Sequence, residues 1–136
     1  MSNRILVVED NKLVRDAMLS YINSFDVNCY AVTTGEEAVE LAEYFDLIFI
    51  NVDLPGISGV EAARQIREKE KKKRLDPSAI IATVGATTAT TRRQAEQECF
   101  TAGINDCLGK PLTRDDVRML IGRWVLAKPR KLRLLN

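Results

Sequence analysis

Three short runs constrain this chain most: "RILVV" (residues 4–8), "DLIFI" (46–50) and "AIIATV" (79–84). Each is almost unbroken in apolar character and rich in Ile and Val. A strand with one wet face alternates polar and apolar residues, so continuous runs belong to strands covered on both faces, as in a parallel sheet layered between helices. Two weaker candidates, "VNCYAV" (27–32) and "INDCL" (104–108), bring the strands to five. At 136 residues the chain suffices for one domain that buries such a sheet without metals or disulfides.

Helix-like segments separate the runs. Leu13, Val14, Ala17, Met18, Tyr21 and Ile22 recur at helical spacing and predict a first helix with that face turned inward. Thr34 and Glu37 form a capping-box pattern opening a second helix, with Ala38, Leu41 and Ala42 inside. A third starts near Ser58 and carries Val60, Ala63 and Ile66 inward. Its end, "REKEKKKRLDP", reads as a solvated helix end stopped by Pro77, with cations suited to the dipole, rather than as a nucleic-acid patch. A fourth covers Thr91 to Ala102 and stops at Gly103, and a fifth opens on a Thr113/Asp116 capping box, with Val117, Leu120, Ile121 and Trp124 inside. Strand and helix alternate with short connections, which predicts an α/β doubly wound sheet, flavodoxin-like in its 2-1-3-4-5 order, with right-handed crossovers and five helices. The domain is expected over residues 1–126, followed by a basic tail at 127–136 that reads as linker or helix extension.

The totals narrow the function by exclusion. A formal net charge of +1 gives no bias toward nucleic acid or membrane, and three cysteines with no histidine supply neither a zinc site nor a nucleophile-base pair. The N-terminus lacks a signal-peptide pattern and no apolar run approaches the roughly 20 residues that span a bilayer, so a cytoplasmic, reducing setting is expected.

In sheets of this order a ligand sits outside the carboxyl ends of the strands. There the first strand delivers Glu9 and Asp10, the third Asn51 with Asp53 just beyond, the fourth Thr83 and Val84, and the fifth Lys110 before Pro111. Adjacent carboxylates can hold a hard cation such as Mg²⁺. A lysine opposite them can meet a phosphoryl oxygen as a point charge, and Pro111 makes a rigid turn that fixes its direction.

Taken together, "VVED", "DLIFINVDLPGISG" and "AGINDCLGKPL", in that order, make the chain resemble the receiver domains of response regulators and hybrid sensor histidine kinases. The resemblance covers about residues 3–126. It implies a non-enzymatic module of a His-Asp phosphorelay that takes a phosphoryl group from a histidine kinase or a histidine phosphotransfer domain. Glu9 and Asp10 match the metal-binding acids, the backbone carbonyl of Asp53 a further metal ligand, Lys110 the phosphate-contacting lysine, and Asn51 the phosphoacceptor aspartate.

That last match is the main departure. A carboxylate can attack phosphorus, whereas a neutral amide is a very poor nucleophile, so phosphorylation at Asn51 is expected to fail and Mg²⁺ binding to be weakened rather than lost. The amide fits either a natural pseudo-receiver or an altered receiver with Asn in place of Asp. The Asp53 side chain reads as a solvent-facing rim acid before an alternative acceptor. Cys107 stands where many receivers carry an aromatic switch residue. Thr83 is the candidate switch hydroxyl, although alignment on "IIA" puts Val84 at that position. The loop around Gly85 and its four following threonines reads as a rearrangement, with anion binding the lesser option. Cys99 and Cys107 read as packing residues. Two other classes compete: an FMN-binding redox protein, for which the acidic "VVEDNK" is repulsive, and a phosphorylation-independent interaction module.

Overall fold

A computed structural model describes residues 4–85 and 89–126. Five parallel strands, β1 (Ile5–Val8), β2 (Cys29–Val32), β3 (Leu47–Asn51), β4 (Ala79–Val84) and β5 (Asp106–Gly109), form one sheet in the order β2-β1-β3-β4-β5. Helices α1 (Lys12–Asn23), α2 (Gly35–Leu41), α3 (Gly59–Lys73), α4 (Ala89–Thr101) and α5 (Arg114–Ile121) connect or follow them. A 3₁₀ turn at Ala42–Tyr44 extends α2, and a π-helical turn at Gly122–Leu126 extends α5. The basic tail and the centre of the loop after β4 lie outside the described residues.

The unbroken apolar runs are explained by two cores, one on each side of the sheet. Leu6, Val8, Ile48, Ile50, Ile80, Ala82 and Val84 point to the side covered by α2, α3 and α4, where Ala38, Ala62, Ala63, Ile66 and Cys99 meet them. Ile5, Val7, Leu47, Phe49 and Ile81 point to the other, against Met18 and Ile22 of α1 and Val117, Leu120 and Ile121 of α5. Each fully buried Leu, Ile or Phe contributes about 1.5–3 kcal/mol relative to exposure, so the central strands dominate the stability.

The capping signals hold with one modification. Ser58 Oγ accepts from Glu61 N (3.1 Å), and Thr113 and Asp116 form both arms of a capping box. At α2, Thr34 Oγ1 accepts from Glu37 N (3.2 Å), but Glu37 Oε1 accepts the backbone N–H of Thr33, not of Thr34. Gly103 ends α4 with φ 95°, a left-handed conformation that glycine enters without strain.

Two expectations need correction. Leu13 does not face inward: it is 81% exposed, because α1 lies on the sheet through Met18 and Ile22, which leaves Leu13 off the buried stripe of the helix. The lysine-rich end of α3 is not uniformly solvated either. Glu70 is buried, pairs with Arg67 (2.8 Å) and accepts Ser78 N–H (2.8 Å), while Lys73 reaches Glu43 at 2.8 Å. The helix closes at Arg74, in the left-handed conformation, three residues before the proline.

Candidate functional site

The carboxyl ends of β1 and β3 bring Glu9, Asp10 and Asn51 together. Register pairs Val8 with Ile50, so the residues that follow emerge side by side above the sheet. Glu9 is almost fully buried and every oxygen has a partner. Oε1 meets Lys110 Nζ at 2.8 Å, and Oε2 accepts the backbone N–H of Asn11 (3.0 Å) and one from Asn51 Nδ2 (3.2 Å). A buried carboxylate left alone would be strongly destabilising, and these contacts supply the partners its oxygens need. Lys110 is positioned by its backbone N–H, which bonds Val84 O (2.8 Å) and extends the β4–β5 ladder; the Lys110–Pro111 peptide is cis.

Asn51 is buried, and both ends of its amide are engaged. Nδ2 donates toward Asp53 O (2.8 Å), Glu9 Oε2 (3.2 Å) and Asp10 Oδ1 (3.4 Å), and Oδ1 accepts from Asp53 N–H (3.1 Å). The Asp53 backbone thus turns into the cluster while the residue itself is exposed at the rim. Asp10 is likewise exposed.

Thr83 pairs in register with Asn51. It lines a small internal cavity of about 20 Å³ with Glu9, Phe49, Met18 and Lys110. Val84 belongs instead to the core on the opposite side of the sheet. Of the two threonine-or-valine options at the end of β4, Thr83 therefore shares the face of Glu9 and Lys110.

Two supporting residues carried no signal in the sequence. Arg15 of α1 donates from Nη1 to the carbonyls of Glu9 (3.1 Å) and Asp10 (3.3 Å), tying the acidic turn to the helix. Gly59 lies so close to β3 that a Cβ there would stand 2.3 Å from Asn51 O; only glycine admits this approach of α3 to the site. Spacing reveals neither contact, since both are to backbone atoms.

On the far side of Lys110, an apolar groove of about 230 Å³ runs between α1 and the turn into α5, lined by Leu13, Val14, Ala17, Tyr21, Pro111 and Leu112. Cys99 and Cys107 face each other across the α4–β5 contact in the core; burial, reinforced by the neighbouring Cys107 thiol, pushes Cys99 up to about 12, so it stays protonated. Among the described residues no helix is long and apolar enough to cross a membrane.

Residues 5–121 match the response regulator receiver domain. The receiver domain of a Pseudomonas aeruginosa sensor histidine kinase, solved with a magnesium ion in its active-site cleft, is 32% identical, with a TM-score of 0.74 over 91% of this chain and 98% of that one. The receiver domain of the Saccharomyces cerevisiae regulator Ssk1, crystallised with the histidine phosphotransfer protein Ypd1, is 27% identical, with a TM-score of 0.81 over 90% of this chain and 88% of that one. Hybrid signal transduction histidine kinase L of Dictyostelium discoideum is 29% identical over 89% of this chain, which spans 7% of that protein; a cyclic di-GMP phosphodiesterase of Thermotoga maritima is 33% identical over 86%, spanning 29% of it. With a family match over most of its length and the strand-end acids and lysine in one cluster, the chain belongs to the response regulator receiver domains of two-component signalling.

Proposed function

We propose that this receiver engages the histidine-bearing domain of a kinase or phosphotransfer protein without accepting its phosphoryl group. The observation that carries the reading is the Asn51 amide set among Glu9, Asp10 and the Asp53 backbone at the strand ends. Forming an acyl phosphate requires an oxygen lone pair to attack phosphorus while the N–P bond of the phosphohistidine breaks. A neutral amide is a very poor nucleophile, because its nitrogen lone pair is delocalised into the carbonyl and its oxygen carries no full charge; here the nitrogen also donates toward Glu9, Asp10 and Asp53, and the oxygen accepts from the Asp53 N–H. Asp53 is exposed at the rim and enters the cluster through its backbone, which argues against it as a replacement acceptor.

The docking half of the function is supported by the groove beside Lys110. Leu13, exposed to 81%, offers with Pro111 an apolar surface over the buried Leu112 that borders the site, as a helix presenting a histidine to that site would need. Ssk1 provides a receiver that forms such a complex with a phosphotransfer protein. Titration calorimetry against unphosphorylated histidine phosphotransfer domains tests this. The reading expects binding by the unaltered chain and a loss of about 30-fold in Leu13→Asp, an anchor-sized effect, with an unchanged unfolding midpoint. Equal affinity for both chains would contradict it.

A further inference from the structure

A Mg²⁺ such as the one in the active-site cleft of the Pseudomonas aeruginosa receiver has a specific difficulty here. The three oxygens that could receive it, Asp53 O, Glu9 Oε2 and Asp10 Oδ1, all converge on Asn51 Nδ2, at 2.8, 3.2 and 3.4 Å. Those are donor distances; Mg²⁺ draws its oxygens to about 2.0–2.1 Å and takes no N–H group into its shell. Turning the amide over would supply Oδ1 as a ligand, but it would set Nδ2 against the Asp53 N–H, donor against donor, where Oδ1 now accepts at 3.1 Å. The residues as arranged do not fit the ion.

We propose that the Asn51 NH₂ group is itself the cation substitute of this site, so that the domain is built to rest closed without magnesium. The inference rests on reading these strand ends as the receiver's phosphoacceptor site. Its physical basis is charge. Glu9 is neutralised through its other oxygen by Lys110 (2.8 Å), leaving Asp10 as the single uncompensated carboxylate facing the amide. The two amide protons, shared among three acceptors, satisfy that residual field. An aspartate at the same position would place another negative charge among the same oxygens, and a divalent ion would then be needed to offset the repulsion. The Arg15 guanidinium, on the carbonyls of Glu9 and Asp10, holds the acidic turn in the geometry the amide requires.

The test compares thermal unfolding of the unaltered chain, Asn51→Asp and Asn51→Ala in EDTA and in about 10 mM Mg²⁺, alongside the ¹H–¹⁵N resonances of the Asn51 side chain. The unaltered chain is expected to shift by less than about 1 °C, with the amide pair unmoved. Asn51→Asp should unfold several degrees lower in EDTA, about 4 °C, and regain most of this with Mg²⁺. Asn51→Ala removes the amide without adding charge, and should respond to Mg²⁺ more than the unaltered chain does. If the unaltered chain gains as much from Mg²⁺ as Asn51→Asp, the amide does not fill the cation's place and this inference falls while the receiver reading stands. If neither variant responds to Mg²⁺, the inference falls together with the reading of the strand ends beneath it.

Discussion

The ends of β1 and β3 and the ends of β4 and β5 share one edge of the sheet but differ in construction. The first pair is dense with directed contacts: each polar atom of Glu9 and Asn51 has a partner, and Arg15 and Gly59 support them from two helices. The second is built largely of small side chains on the α4 side. Val84, Cys107 and Gly109 form the floor there, and the Arg92 guanidinium of α4 lies directly over Gly109, where a Cβ would stand 2.6 Å from Nη1. From its described side chains α4 buries Cys99 completely and leaves Phe100 about half exposed. One half of this edge is thus fixed by directed polar contacts, and the other by shallower packing.

The largest contrast is expected in the core. Phe49→Ala, on β3, should destabilise the domain by about 3–5 kcal/mol in urea unfolding, whereas Cys99→Ala, which removes one buried sulfur from the α4 contact, should cost about 1 kcal/mol. Equal losses would erase the difference between the two regions. The polar layer gives the next largest effect. Glu9→Gln strands the partly buried Lys110 ammonium and should cost about 2 kcal/mol. Its counterpart on the other side, Glu96→Gln, breaks a half-exposed pair with Arg92 at 3.3 Å and should cost less than about 0.5 kcal/mol by the same assay.

Local opening follows the same division. Amide hydrogen exchange in α4 is expected to run at least about tenfold faster than in α1 and α5, and uniform protection would contradict the picture of a loosely held helix. The last effect is alkaline and absent at neutral pH. Because burial raises Cys99 from 9.0 to about 12, the folded state holds its proton more tightly than the unfolded chain. That contribution is complete below about pH 9 and is lost as pH rises toward 12, so the unfolding midpoint of the unaltered chain should fall more steeply above pH 9 than that of Cys99→Ala.

The sheet was legible because both-sided burial writes itself into the sequence as unbroken Ile and Val, and the caps at Thr34 and Thr113 because one polar side chain three residues before another has a local meaning. Leu13 shows the limit of periodicity: it records that a position is apolar, not what covers it. Glu70 shows the same limit for charge, since a run of lysines and glutamates conceals one acid folded back onto Arg67 and the Ser78 N–H. At the site, Glu9, Asp10, Asn51 and Lys110 could be named from their places at strand ends. The direction of the Asn51 amide could not, because it depends on which three oxygens surround it, and neither Arg15 nor Gly59 could be found from spacing, as each acts on backbone.

The central claim is that one amide separates this domain from phosphoryl acceptance. Intact mass after incubation with a small-molecule phosphodonor and Mg²⁺, on the unaltered chain and on Asn51→Asp side by side, tests it most directly. The account predicts no mass gain for the unaltered chain and one phosphoryl group on the variant. A phosphorylated unaltered chain, or a variant that stays unmodified, would contradict it.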